Sequence, residues 1–352
     1  MYYKRFFMKE KLILIFGGKS AEYEVSLHSV YNVSKALDRE KYDVIRIGMT
    51  KDGVWYSYYG DDEKIKNGQW CTDKENLHPV SLIMQTGIKE DDTGVIFGVD
   101  IPVFPVVHGS YCEDGRLQGL LDMCGFKYVG PGTASSAVCM DKYITKLIIS
   151  HRDIPMADFV LIHRGISDEK IIKKVEDKFE YPVFVKPANA GSSVGASKVK
   201  SREQLVSAVN EARKFDDKVL VEEYIKGREI EVAVMGNDAP FASRPGEICP
   251  NSEFYDYNTK YISDTATYHI PAQLPDEISE QIREYAVRIY MALGCRGLSR
   301  VDFFVTEDRI VFNEINTLPG FTSISMYPSL MQDHGFTYAE VVEELIKYAK
   351  ED

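Results

Sequence analysis

The opening of the chain already selects a fold class. Residues 12–16 (LILIF) form a short apolar run closed by Gly17-Gly18, which reads as a buried strand ending in a tight turn. A polar stretch follows, then EVSLHSVYNVSKAL. Its apolar residues Val25, Leu27, Val30, Val33 and Leu37 suit the spacing of a helix better than that of a strand. DVIRIGM reads as the next strand, and VFPVV (103–107) as another. Strands separated by a helix run parallel, so the chain is predicted to be α/β.

At about 150 residues per domain, 352 residues imply two or three domains. Residues 52–95 are polar and turn-rich and read as a surface insertion or hairpin without chemistry of its own. From about 141 the pattern changes to short strands (DFVLI, PVFVKP, KVLVEEY) around a glycine–serine loop, AGSSVG. Beyond 229 come the strand EIEVAVMG, a long amphipathic helix at 277–293, the strands SRVDFFV and RIVFNEIN, and a last helix at 338–348. The expected division is 1–140, 141–226 and 227–352.

Lys and Arg number 42 against 54 Asp and Glu, a net charge of -12 that repels phosphate backbones and argues against a dedicated nucleic-acid binder. A local basic pocket for a nucleotide stays compatible with it. The six cysteines contain no CxxC pair and no zinc spacing, and read as free thiols in a reducing compartment. MYYKRFFMKEKLILIFGG lacks the apolar core and cleavage site of a signal peptide, and no run nears the ~20 apolar residues of a membrane span. A soluble, cytoplasmic protein is expected.

Seven motifs carry candidate chemistry. In IFGGKSAEYE the Walker pattern fails, because Ile13 stands where its first glycine is needed, and GxGxxG fails as well. What remains is a plain strand-to-helix turn, or a glycine turn admitting a substrate beside Glu22, whose carboxylate suits an ammonium group. In VFVKPANAGSSVGASKV a strand delivers Lys186 to the 191–195 loop. Small residues there let successive N–H groups wrap a phosphate, although an ordinary glycine loop reads the same. KVLVEEYIKGREIEV offers a linker whose backbone could read adenine and whose carboxylates could accept from ribose; a solvated charged hairpin is the alternative.

The most telling motif is SRVDFFV followed by RIVFNEIN. Arg300 and Asp302 are two apart, as are Glu314 and Asn316, so each pair shares one strand face. The connector is hairpin-length, which predicts antiparallel pairing. Carboxylates in such apolar strands are costly unless neutralised, and Mg²⁺ with a substrate phosphate removes that cost; a salt-bridged sheet face is the alternative. EFYDYNTKYISDTATYHIP reads as a loop able to cover a site, with Lys260 and Tyr261 as its working residues, or as a packed Ω-loop. NTLPGFTSISMYP offers the Gly320 amide to an oxyanion and Ser325 to a carboxylate. In VVHGSYCEDGRLQG, His108 ends a strand, where α/β sheets place their sites; a satisfied structural histidine is the alternative.

Taken in order, FGGKSAEYEVSLHS, HGSYCEDGRLQGLLD, CMDKYITK, VKPANAGSSVG, EFYDYNTKY, SRVDFF and NEINTLPGFTS resemble the D-alanine–D-alanine ligase family of ATP-grasp enzymes over nearly the whole chain. GVWYSYYG and NTLPGFTS also resemble the subgroup containing vancomycin-resistance ligases. The resemblance implies a three-domain ATP-grasp architecture: an N-terminal substrate-binding α/β domain, then central and C-terminal α+β domains sandwiching ATP, with a lid at 251–272.

It also implies site residues. Lys142 and Lys186 bind ATP phosphates, with Gly191, Ser192 and Ser193 in the loop covering them. The 222–225 segment, with Glu222, Glu223 and Ile225, holds adenine; Glu229 holds ribose; Lys260 reaches the γ-phosphate. Asp302, Glu314 and Asn316 bind two Mg²⁺ ions, for which Mn²⁺ can substitute. Glu22 binds the first D-alanine's ammonium and is linked to Ser192 and Tyr261. Arg300 and the Gly320 amide stabilise the oxyanion, His108 lies near the amino acids, and Ser325 and Met326 line the second subsite. Glu223 stands where many relatives carry Lys. A homodimer through the N-terminal domain is implied as well.

The implied reaction is ATP-dependent ligation of two D-alanines through an acyl phosphate, for peptidoglycan precursors. The alternative is a D-alanine–D-serine ligase of resistance type. D-Serine-selecting relatives tend to carry Arg where Met326 stands, and an apolar Met would leave a serine hydroxyl unpaired. A silent nucleotide-binding scaffold is disfavoured by the intact Lys142, Lys186, Arg300, Asp302, Glu314 and Asn316. A nicotinamide-dependent dehydrogenase is disfavoured by the missing GxGxxG.

Overall fold

The computed structural model describes residues 9–249 and 267–351. The chain divides into two compact units. One comprises Met1–Cys112, Arg116–Gly130 and Leu318–Asp352; the other comprises Glu113–Gly115 and Pro131–Thr317.

The first unit is built on a seven-stranded sheet. Its strands are β1 (Glu10–Gly17), β2 (Tyr42–Met49), β3 (Trp55–Tyr58), β4 (Leu77–Ile83), β5 (Gly87–Glu90), β6 (Ile96–Gly98) and β7 (Val103–Val106), in the order β6-β5-β4-β3-β2-β1-β7. β2, β1 and β7 are parallel, as the strand–helix–strand reading requires. The five apolar residues of LILIF are all fully buried, because helix Tyr23–Ala36 covers one face of β1.

Residues 52–95 differ from the expected surface insertion. They contribute β3, β4 and β5, and these extend the central sheet by antiparallel pairing from β2 outward. The aromatic residues explain the difference. Trp70 is fully buried, its ring centroid 4.8 Å from that of Phe16, and its indole N–H donates to the Tyr23 hydroxyl at 2.9 Å. Burial of one such side chain outweighs the polar flanks.

The second unit holds two sheets. β8 (Phe159–Ile162), β9 (Val183–Pro187), β10 (Ser197–Val199) and β11 (Val219–Glu223) make a four-stranded antiparallel sheet in the order β10-β9-β11-β8. Helices Asp168–Glu176 and Arg202–Ala212 bury Ile171, Val175, Leu205 and Val209 against it. The other sheet comprises β12 (Arg228–Met235), β13 (Phe241–Ala242), β14 (Gly246–Cys249), β15 (Thr267–His269), β16 (Leu298–Val305) and β17 (Ile310–Asn316). Helix Asp276–Ala292 packs on it through Ile282, Ala286, Ile289 and Tyr290.

β16 and β17 pair antiparallel, with Arg300 opposite Asn316 and Asp302 opposite Glu314. The 227–352 segment is shared between the units. Its strands belong to the second, whereas helices Met326–Asp333 and Tyr338–Lys350 belong to the first, the latter packing against helix Tyr23–Ala36.

Candidate functional site

In the second unit a cavity of about 420 Å³ opens between β9 and β11 on one side and β12 and β16 on the other. Its walls are apolar where Phe184, Ile225 and Phe304 meet, and charged elsewhere. Lys142, Lys186, Ser192, Ser193, Glu222, Glu223, Glu229 and Glu314 all line it.

Lys142 opens helix Lys142–Ile149, whose N-cap is Asp141; that carboxylate accepts from the N–H groups of Tyr143 and Ile144. One turn on, at i+4, the same helix carries Lys146, which the sequence motifs did not single out. Lys146 is 1% exposed, and its ammonium lies 3.1 Å from Glu222 Oε1. Lys186 lies 2.9 Å from Glu222 Oε2. One buried carboxylate thus bridges two lysines. Burial pushes the Glu222 carboxyl up, but Lys146 and Lys186 outweigh it and hold it below the usual carboxylate range. Burial pulls the Lys146 ammonium down against the opposing pull of Glu222. The Glu222 side chain is therefore committed to the lysines, while Ile225 lines the cavity with an apolar side chain.

Glu223 is tied to Arg309 at 2.9 Å and accepts from the Asp158 N–H at 3.1 Å. Lys142 donates to the Ala190 carbonyl at 2.7 Å and lies 3.1 Å from Glu314. That fixes the start of the glycine–serine loop against the β17 carboxylate. Just past Gly191, both Ser192 and Ser193 adopt left-handed backbone (φ 51° and 58°), and so does Gly195 (φ 71°). A Cβ on Gly195 would sit 2.6 Å from the Phe215 ring, so a side chain there would be strained in this conformation.

On the other sheet, Arg300 grips Asp302 through two bonds of 2.8 and 2.7 Å and reaches Glu231 at 2.9 Å. Asn316 donates to Asp302 at 2.9 Å. Burial alone would weaken the Arg300 charge, yet Asp302 and Glu231 raise its pKa well above the ordinary value. Glu231 is a further unanticipated member; its signal was the two-residue spacing from Glu229 in EIEVAVMG. Asp302, Glu314 and Asn316 offer only oxygen ligands on adjacent strands, a donor set that fits Mg²⁺.

In the first unit, Gly17 (φ 87°) ends β1, and a Cβ there would stand 2.1 Å from the Met49 carbonyl. The Gly17 N–H donates to Ser26 Oγ at 2.8 Å. Ser20 donates to the His108 carbonyl at 2.6 Å and accepts from the Glu22 N–H at 3.1 Å. The Glu22 carboxylate lies against Gly109, where a Cβ would come within 2.6 Å of it. His108 is buried, with Nδ1 2.9 Å from the Leu318 carbonyl and Nε2 3.0 Å from Ser29 Oγ. Gly320 is close enough to Ser325 that a Cβ would meet its Oγ at 2.9 Å. Ser325 precedes helix Met326–Asp333, its hydroxyl accepting from the Thr322 N–H at 3.0 Å, and Met326 is buried at the first helical position. Lys260 and Tyr261 lie outside the described residues.

The family models described as D-ala D-ala ligase N-terminus and C-terminus match residues 11–131 and 148–347. The chain belongs to the D-alanine–D-alanine ligase family. It is similar to the D-alanine--D-alanine ligase of Clostridium acetobutylicum, at 46% identity over 97% of this chain and 98% of that one. The D-alanine--D-alanine ligase of Acetivibrio thermocellus is also 46% identical, over 97% and 96%. Among solved structures, the VanG D-Ala:D-Ser ligase of Enterococcus faecalis superposes with a TM-score of 0.90 at 42% identity, covering 97% of this chain and all of that one. The D-alanine-D-alanine ligase of Coxiella burnetii gives 0.87 at 34%, covering 97% and 94%. The fold is accordingly the ATP-grasp architecture of this ligase family.

Proposed function

We propose that the chain joins two D-alanine molecules into D-alanyl-D-alanine, converting ATP to ADP and phosphate, for peptidoglycan precursor synthesis. The observation that carries this reading is the second-unit cavity, where two phosphate-type lysines, a left-handed serine pair and the β17 carboxylate line one space.

A carboxylate is a poor acyl donor, so the first D-alanine is phosphorylated before it reacts. Glu22 holds its ammonium group. Lys142 and Lys186 bind the ATP phosphates under the 191–195 loop, Lys260 reaches the γ-phosphate, the 222–225 backbone and Ile225 hold adenine, and Glu229 holds ribose. Asp302, Glu314 and Asn316 would hold two Mg²⁺ ions, replaceable by Mn²⁺, which when bound neutralise the phosphoryl group in transfer. The free amine of the second D-alanine then attacks the acyl phosphate. Arg300 and the Gly320 amide stabilise the oxyanion that forms, and phosphate leaves. Covering the site keeps water from the acyl phosphate.

Ser325 and Met326 line the second subsite. The buried thioether accepts a methyl group readily and offers no adequate partner to a serine hydroxyl, which favours D-alanine. The resemblance to a D-Ala:D-Ser ligase supports the second reading, a mixed D-alanyl-D-serine product. A homodimer through the N-terminal region and a cytoplasmic location complete the proposal; no described helix is long and apolar enough to cross a membrane.

The test measures phosphate release from ATP with D-alanine alone, then with equimolar D-serine or D-lactate, with products identified by mass. D-Alanyl-D-alanine dominating every mixture is the expected result. A dominant mixed product would overturn the second-subsite assignment, and no D-alanine-dependent phosphate release would overturn the reading as a whole.

A further inference from the structure

We infer that Ser29 and His108 act together as positioning residues that clamp the 318–321 segment from both ends and so aim the Gly320 amide. The inference rests on the oxyanion role proposed for that amide and deepens it.

Three hydrogen bonds form one chain. The Leu318 carbonyl can only accept, so the proton sits on His108 Nδ1, which donates to it at 2.9 Å. In a neutral ring Nε2 must then accept, and it takes the Ser29 hydroxyl proton at 3.0 Å. The Ser29 oxygen accepts in turn from the Phe321 N–H at 3.2 Å. Each group is used in the one sense its chemistry allows. Burial favours the neutral ring that this pattern needs, with Glu22 acting in the opposite direction.

The chain begins at residue 318 and ends at residue 321, so it grips the backbone on either side of Gly320. Ser29 sits on helix Tyr23–Ala36 and is fully buried, while His108 follows β7 and is buried as well; both anchors belong to the first unit. The Phe321 ring is locked independently. It packs edge-on against Phe104 and Tyr338 at 5.9 Å each, and the Tyr338 hydroxyl donates to its carbonyl at 2.6 Å. With both ring nitrogens bonded to protein, His108 serves the amino acids through the segment it holds rather than as a proton donor to them.

The role makes a prediction that loss of packing does not. A misplaced Gly320 amide leaves phosphoryl transfer intact but slows attack of the amine, so the acyl phosphate is lost to water. Wild type should release one phosphate per dipeptide. Ser29→Ala should lower dipeptide formation about 10- to 100-fold, raise the phosphate-to-dipeptide ratio above one, and leave KM for ATP within about twofold. His108→Gln, which can still accept from Ser29, and His108→Asn, which can still donate to Leu318, should each uncouple less than His108→Ala. Ser29→Ala with His108→Ala should be no worse than the more damaging single change, since both break one chain.

Thermal unfolding of each variant checks that it is folded, and Ser29→Cys, which is slightly larger and a weaker donor and acceptor, serves if Ser29→Ala does not fold. Phosphate and dipeptide falling in parallel, an unchanged ratio, or additive effects in the double variant would each overturn the inference. Wild-type protein making no dipeptide would instead overturn the functional proposal beneath it.

Discussion

The two units hold their candidate residues by opposite means. In the second, position is set by charge: Glu222 is shared by Lys146 and Lys186, and Arg300 is shared by Asp302 and Glu231. In the first, it is set by neutral groups: Ser20, Ser26, Ser29 and His108 bond to backbone carbonyls and N–H groups. A site for phosphates and cations needs fixed charges, and buried charges must be paired to be tolerated. A site that aims a backbone amide needs direction, which short hydroxyl and imidazole bonds supply without desolvating an ion. Disruption should therefore cost the second unit more than the first.

The largest effect is expected from Asp302→Asn. It strips the charge from a proposed Mg²⁺ ligand, which is also one of the two carboxylates that hold Arg300, and should lower dipeptide formation about 10²- to 10³-fold. Raising Mg²⁺ should recover only part of that loss, and a steady-state Mg²⁺ titration reads it directly. Full activity at ordinary Mg²⁺ would remove Asp302 from the site.

Glu222→Gln comes next. It leaves two buried lysines facing a neutral amide, and should destabilise the protein by about 3–5 kcal/mol in a denaturant titration. A much smaller loss would mean that water reaches this cluster and that charge is not what positions Lys186.

Acid should separate the two regions with the smallest effect. The folded-state pKa of His108 is lowered, so its contribution is complete above the ordinary imidazole value of about 6.5 and falls as pH drops below it. Glu222 is also lowered from its ordinary value, so its contribution persists down to about pH 4.3 and is lost only below that. Stability measured against pH should show two steps in that order, and replacing His108 should remove the upper one.

How legible each region was in the sequence depends on where the partner lies along the chain. Arg300 with Asp302, and Glu314 with Asn316, could be read because a two-residue spacing puts both members on one strand face, and a short connector brings the strands together. Lys146 could not, because nothing near it announces a carboxylate 76 residues away on β11. Ser29 escaped for the same reason, being 79 residues from His108 and 292 from Phe321. Residues 52–95 looked like a polar insertion because their buried residues, among them Tyr58, Ile65, Trp70 and Ile88, are scattered singly or in pairs among polar and charged neighbours.

The sequence by itself determined the local elements and the fold class. Apolar periodicity, glycine turns and strand-face spacing act over a few residues, and they are enough to specify parallel strands around a helix and a carboxylate-bearing hairpin. Only the tertiary structure decided which charges neutralise one another, which hydroxyl accepts from the Phe321 N–H, and that the last two helices join the first unit. Those outcomes depend on burial, and burial is a property of segments brought together from distant parts of the chain, where an unpaired polar group costs more than its own local sequence can signal.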